Sequence, residues 1–445
     1  MEPVRAKTVG VRPPLASRWL PVRFYYGWVI AVGCLVFSFV GVGIGYYGLA
    51  LFLRPLRKEH GWSNGWISGA TCLYFVISGI TAFVIGPTVD RLGPKRFMLA
   101  GAIVMSGSVV AIGSVHSLWQ LYLVYAFLAV GYGMSTAVAV SSLITRWFVH
   151  DRARATSISS TGTSLGGLVL IPVGTRLLNH GGLRTVTIVF GILLIAVALP
   201  VVLLIIARDP ADLGLLPDGG KPATRVSRVS AASQTRVWTR AEAARTRSFW
   251  AVTSAFVLIL AAQTGYLLHQ LNYLEGKYGS RNQAAFAVSV AAFGSIVARL
   301  VVGRFVDPLD KRHVAAILCV LQGCAILVIV HTNSIPLVFI MTLVFGFTIG
   351  NVYMMQQLLV AEIFGIPSFG AIYGLVALAG QTASGIGPLL VGALDDRYDS
   401  YSVPLTAAGG LILAGAIIVL AARPVAVRAE QPDVTDLHAY NADAR

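Results

Sequence analysis

The chain has 445 residues, of which 56% are hydrophobic and 12% charged, with a mean hydropathy of +0.75. Soluble domains carry about 25% charged residues, so a soluble fold is excluded and a polytopic helical membrane protein is expected. The net charge of +15 calls for no nucleic-acid partner, because topology and attraction to anionic membrane lipid account for it.

In chain order, residues 1–23 form a basic tail with Pro13, Pro14 and Pro21 and no apolar core before a small-residue cleavage site, so the first span is expected to act as its own signal. Apolar runs predict spans near 24–53, 65–88, 96–114, 117–145, 154–177 and 184–207. Six more follow near 247–273, 281–306, 313–332, 335–362, 367–392 and 401–422. The expected fold class is therefore all-α, with twelve transmembrane helices in two six-helix bundles at 24–207 and 247–422. Between them lies a basic linker at 208–246, and a polar tail occupies 423–445. The linker's start, Asp209 to Asp218, is too rich in turn formers to continue the sixth span, and its Ser/Ala/Thr/Arg stretch around Arg225 to Arg240 is expected to lie partly on the membrane surface.

Twelve spans put both termini on one side. With the termini inside, 25 of the 34 Lys and Arg residues are internal, 8 are external and Arg299 lies within a span, so the positive-inside rule places both termini in the cytoplasm. Cys34, Cys72, Cys319 and Cys324 sit in apolar runs without metal-ligand spacing and are expected to be small core residues. No zinc-protease motif, acidic metal cluster or Ser/His/Asp set occurs in the spans, so neither an enzyme nor a metal or other cofactor is expected.

Arg299 is the residue the rest turns on. About 12 Å of helix separates it from Asp307, which places it near the middle of a hydrocarbon core roughly 30 Å thick. An arginine there costs about 2.5 kcal/mol or more and usually faces a cavity or a partner. No Asp, Glu or Lys lies inside an apolar run to neutralise it. An anionic ligand is therefore expected to do so.

The halves repeat. Gly86-Pro-Thr-Val-Asp90 after the second span matches Gly303-Arg-Phe-Val-Asp307 after the eighth at an offset of 217, and the same offset pairs Ser63 with Ser280. Duplicated halves of this kind bind substrate at mid-membrane and rock about it. Asp90 and Asp307, at helix ends, can accept hydrogen bonds from backbone donors of the other half and act as latches, while basic neighbours such as Arg91 bind the inner leaflet.

The stretch Gly86 to Arg96 resembles the cytoplasmic signature loop of the major facilitator superfamily, with a degenerate copy at Gly303 to Arg312. Within it, the chain resembles bacterial relatives of the monocarboxylate-transporter and oxalate-formate antiporter families over most of 24–422. The features are Tyr26-Gly-Trp28, Pro55-Leu56 with Gly61-Trp-Ser63, Trp147-Phe148 with Arg152-Ala-Arg154-Ala155, the Asp209 to Asp218 linker start, and Ala298-Arg299. The resemblance implies the major facilitator fold and a carboxylate-binding role for Arg299. It also has departures. Ser295 stands where animal monocarboxylate carriers have an aspartate, Tyr46 and Tyr47 occupy the neighbourhood of their first-span lysine, and the eleventh span offers Gln381, Thr382 and Ser384 instead of a second cation. One cation matches one carboxylate, which favours a monocarboxylate and leaves proton coupling without its usual acid.

Ser295 is four residues from Arg299 and is expected on the same helix face. Tyr125 and Tyr132, the latter between Gly131 and Gly133, are expected to contact substrate from the first half, together with Tyr47. His269 in the seventh span can relay a proton, line the outer gate or make a structural hydrogen bond, and Asn351, Tyr353 and Gln381 are further candidates for substrate contacts or interhelical hydrogen bonds. Gly41, Gly43, Gly45, Gly162, Gly166, Gly167 and Gly380 are expected at close helix crossings. The reading is a monomeric secondary transporter of a small monocarboxylate in the cytoplasmic membrane, moving it alone or with protons. Alternatives are organic anion exchange without protons, export of an amphipathic compound, and a sensor that binds without transporting.

Overall fold

The computed structural model describes residues 25–220 and 237–423; the two terminal tails and the linker stretch at 221–236 lie outside them. Every regular element described is helical.

The first crossing is two helices, α1 (Gly27–Gly45) and α2 (Tyr47–His60), interrupted at Tyr46 with φ −102° and ψ −58°. The second and third crossings are α3 (Asn64–Leu92) and α4 (Pro94–Ile112), separated by Gly93 alone, whose φ of 84° turns the chain. The fourth is again two helices, α5 (Leu118–Ser135) and α6 (Ala137–Trp147), interrupted at Thr136 with φ −99° and ψ −81°. Both interruptions fall inside runs read as single spans from sequence, because hydropathy registers apolar length and is blind to dihedral angles.

Helix α7 (Arg152–Pro200) has 49 residues, about 74 Å of rise, more than twice a hydrocarbon core of roughly 30 Å. Gly182, at φ 71°, divides it into the fifth and sixth crossings, inside the gap expected at 178–183. A single π-helical turn, Val201–Ile205, ends it.

The second half begins with the short α8 (Arg240–Ala244) and continues through α9 (Arg247–Tyr278), α10 (Arg281–Phe305), α11 (Lys311–His331), α12 (Ile335–Phe364), α13 (Phe369–Tyr398) and α14 (Ser402–Val419). Among the described residues eleven helical stretches are long and apolar enough to cross a membrane, and dividing α7 at Gly182 makes twelve crossings. Each half has its own core. Tyr74, Trp147 and Phe190 are buried in the first, and Phe256, Tyr266 and Phe345 in the second. Large apolar side chains such as Trp119, Phe305 and Ile417 point outward, as lipid-facing residues do.

The bundles meet along two seams built on small residues. In the α3–α13 seam, Gly86 lies on the backbone of Gly370, Ala82 on Gly374 and Gly79 on Leu378. In the α7–α10 seam, Gly303 lies on Ser157. Within the first bundle, Gly43 of α1 meets Gly166 of α7 backbone to backbone and Gly162 meets Leu35, the close crossing expected of those glycines. A side chain at any of these positions would drive the helices apart.

The linker's described parts are anchored to both bundles. Its turn-rich start makes two 3₁₀ turns, as expected, and buried Asp218 accepts N–H bonds from Val149 at 2.8 Å, His150 at 2.7 Å and Asp151 at 3.3 Å, fixing the turn that leads into α7. At its other end Arg240 donates to the carbonyls of Phe83 in α3 and of Ala371 in α13 (3.2 Å for the latter), bridging that seam.

Candidate functional site

Two sites follow from this arrangement, one at the end of the molecule that carries Asp90 and Asp307 and one between the bundles. At the first, the Asp90 carboxylate accepts from the backbone N–H of Gly370 at 2.9 Å and of Ala371 at 2.8 Å. Asp307 accepts from Ala153 at 2.7 Å and Arg154 at 3.3 Å. These donors lie in the first turns of α13 and α7, where backbone N–H groups have no partner in their own helix and the helix dipole favours an anion. The offset of 217 that relates the aspartates also relates Ala153 to Gly370 and Arg154 to Ala371. Each half thus caps a helix of the other at equivalent positions.

The surrounding charges differ. Arg146 donates to the Asp90 carbonyl at 2.7 Å and pairs with Asp209 at 2.9 Å, and Arg240 reaches the same junction. Asp307 faces Lys311, whose Nζ donates to its carbonyl at 2.7 Å, and Asp151. Burial pushes its carboxyl up to about 6, with Asp151 adding to the rise and the two N–H bonds and Lys311 opposing it. Arg91 is exposed and meets Arg208 through its carbonyl at 2.9 Å.

The second site is a cavity of about 180 Å³, room for several waters at roughly 30 Å³ each. Arg299 lines it at 5% exposure. Its Nη1 donates to the carbonyl of Ser160 in α7, its own carbonyl accepts from the Ser157 hydroxyl at 2.5 Å, and its Nε has no partner. Across the seam the Tyr47 phenol, at the start of α2, is its electrostatic neighbour. The guanidinium lies against the backbone of Gly350, where a Cβ would strike it. Among the described residues no carboxylate pairs with Arg299, and no other charged side chain lines the cavity.

Of the residues expected at the site, Tyr47, Tyr132, Tyr353 and Gln381 line the cavity with Arg299, whereas Ser295, Tyr125, His269 and Asn351 do not. Ser295 shares a stripe with Ala291 and Arg299, and that stripe faces α12, where Ala291 touches Gly346 and Arg299 touches Gly350. The crossing is tight enough to bury Ser295 to 2% exposure; only the long arginine clears it. Tyr125 is buried in the first core. His269 is held between Tyr401 Oη at 3.4 Å and the Pro388 carbonyl at 3.2 Å, and Asn351 donates to the Phe347 carbonyl at 2.8 Å.

The sequence reading missed Gln263, Gly350 and the carbonyl of Ser160. Gln263 is a lone amide inside an apolar run, the same kind of signal as Arg299 but weaker, because amides often join membrane helices. Tyr46, noted only as a departure, also lines the cavity, and its phenol meets that of Tyr353 across the halves.

A sequence model of the Major Facilitator Superfamily matches residues 33–388, and again 248–439. The chain belongs to that superfamily. An MFS-type transporter of Gibberella moniliformis is 24% identical over 434 residues, covering 95% of this chain and 96% of the relative. Monocarboxylate transporter 3 of Rattus norvegicus is 25% identical over 406 residues, covering 89% of this chain and 79% of the relative. Among solved structures, the human organic anion transporter MFSD10 (TETRAN) superposes with a TM-score of 0.68 at 16% identity, over 90% of this chain and 100% of that one, a likeness of fold. This major facilitator is thus a multi-pass membrane transporter of small solutes working by alternating access, and not an enzyme.

Proposed function

We propose that the transporter carries a small monocarboxylate of the lactate or pyruvate kind, and that Arg299 takes the carboxylate. One observation carries the reading: a guanidinium 5% exposed lines the cavity with its Nε–H unpartnered and no carboxylate of the described protein beside it. A buried cation in that state is costly until an anion joins it. A ligand carboxylate supplies the anion and can be held by the planar fork, with the Tyr47 phenol as a donor from the other bundle. Substrate bound there touches both halves, so its arrival and departure bias their rocking. The names of relatives that transport monocarboxylates favour the same substrate class, and the motifs from Tyr26 to Arg299 favour the bacterial monocarboxylate and oxalate-formate branch.

The excess of basic residues on one side supports a reading in which the Asp90/Asp307 end and both termini face the cytoplasm and the protein spans the cytoplasmic membrane. With both aspartates capped, that end is shut and the cavity loads from outside.

The test is uptake of a labelled acid panel into proteoliposomes, with and without a pH gradient, repeated for Arg299→Gln. Uptake of a monocarboxylate should fall by roughly a hundredfold or more in the variant while membrane insertion is retained. Uptake equal to the wild type's would remove Arg299 from the role. A second reading, exchange of organic anions without protons, draws on the absence of Asp, Glu or His from the cavity lining among the described residues. Counterflow insensitive to the pH gradient would favour it, whereas uptake that follows the gradient would favour symport.

A further inference from the structure

We infer that the cavity has a second binding pole, the carboxamides of Gln263 and Gln356, which takes an uncharged oxygen of the substrate, a hydroxyl or a carbonyl, while Arg299 takes its carboxylate. This rests on the carboxylate reading of Arg299 and assigns the side chains that would read the hydroxyl or carbonyl such an acid carries.

Gln263 on α9 is 0% exposed and Gln356 on α12 is 3% exposed, yet both line the cavity. Neither Nε2 has a hydrogen-bond partner. A buried amide left unbonded keeps its desolvation cost with nothing to offset it, which is why native proteins pair nearly all such groups. Two of them on one small cavity form a set of donors that lacks its acceptor.

Their orientation is built in. Gln322 on α11 is fully buried, lies off the cavity and donates from Nε2 to Gln263 Oε1 at 3.0 Å. That bond occupies one end of the Gln263 amide and leaves the other for a ligand. Turning both amides over preserves the bond and presents an acceptor instead, so a hydroxyl suits either arrangement and a carbonyl suits the first. Gly380 of α13 keeps room beside Gln356, since a Cβ there would lie 3.3 Å from its Nε2. Because Arg299 is the one charged residue lining the cavity among those described, the second pole fits a neutral oxygen and not a second carboxylate.

The experiment is competition binding to the reconstituted full-length chain. Pentanoate is compared with oxopentanoates and hydroxypentanoates that carry the oxygen at successive carbons. The wild type should bind at least one oxygenated acid roughly tenfold or more tighter than pentanoate, since a site built to hydrogen-bond a group rejects the analogue that lacks it. That preference should shrink to less than about threefold in Gln356→Leu and in Gln263→Leu. In Gln322→Leu it should shrink partly, because Gln263 keeps its amide but loses the bond that orients it. A wild type that binds pentanoate as well as every oxygenated acid overturns the second pole whether or not any variant folds, as does a folded Gln356→Leu or Gln263→Leu variant that keeps the full preference. The parent reading is separated by Arg299→Gln. Undiminished binding of all acids in that variant, or none in the wild type, overturns the carboxylate site and the second pole with it.

Discussion

The capped end and the cavity come from the same duplication and have opposite properties. At the capped end the two halves are equivalent, and every carboxylate oxygen of Asp90 and Asp307 accepts a backbone N–H. In the cavity the scaffold still repeats at the offset of 217, for Tyr46 pairs with Gln263, Thr136 with Tyr353 and Ser164 with Gln381, all six being lining positions. The chemistry does not repeat. Arg299 falls opposite Ala82, and the Ser157–Arg299 crossing is the counterpart of Gly374–Ala82, two small residues that close one seam where the other holds a charge. Satisfied, symmetric bonds hold a state of the protein. Unsatisfied, asymmetric ones wait for something else, here Arg299 Nε and the Nε2 atoms of Gln263 and Gln356.

Gly350 offers the sharpest way to break the cavity side of this comparison. Its offset partner, Gly133, lies against the Ser78 carbonyl and Thr81 in a purely structural crossing, whereas Gly350 lies against the Arg299 guanidinium. Gly350→Ala should push the guanidinium off its seat and lower acid affinity roughly tenfold or more, in the range of an overpacked core. Gly133→Ala should lower the amount of folded protein while sparing the affinity of what folds. Equal affinity losses in the two variants, measured by binding per folded molecule, would show that the glycine carries no special relation to the site.

The sequence made Arg299 legible because it is a charge where charge is expensive, and such a residue stands out in an apolar run. It also made the duplication and both aspartates legible, because Gly86 with Asp90 recurs as Gly303 with Asp307 at a fixed offset. Helical periodicity placed Ser295 on Arg299's face correctly, but a face does not say what covers it, and the Ala291–Gly346 contact closes that stripe one turn away. For His269 chemistry alone left proton relay, gating and structural bonding open, and its two ring nitrogens meet Tyr401 and the Pro388 carbonyl, which is structural bonding. Gln263 stayed hidden because its significance lies in having no partner, a property of three dimensions.

The two caps can be told apart by a smaller effect. Removing either aspartate strands two helix N–H groups, and Asp307→Ala should raise the population open at that end by roughly tenfold, in line with the loss of hydrogen bonds to a charged group. Asp90→Ala should do less, because Arg240 still bridges α3 and α13 through the carbonyls of Phe83 and Ala371. Adding Arg240→Ala should bring the two variants level. Distances between spin labels at that end, measured by pulsed EPR, report the populations, and a double variant no more open than Asp90→Ala would discount the arginine bridge.

The smallest effect separates holding by charge from holding by shape. In the shut state the Asp307 carboxyl lies up near 6, above its ordinary value of 3.8, because burial outweighs the Ala153 and Arg154 bonds and the nearby Lys311, with Asp151 adding to the rise. A carboxyl whose pKa is raised in one state stabilises that state most at low pH, and the contribution is lost as pH rises through the raised value. Here the window runs from 3.8 to about 6, so lowering the pH from about 7 to about 6 should favour the shut state about twofold through Asp307 alone. Protonation leaves both oxygens in place beside the α7 N-terminus, which is why its sign is opposite to that of Asp307→Ala. The same label distances across that pH range in the wild type, in Asp307→Ala and in Asp307→Ala combined with Asp90→Ala decide it: the shift should shrink in the single variant, where the equivalent Asp90 cap remains, and vanish in the double one, and a shift that survives both would have to originate in another titrating group.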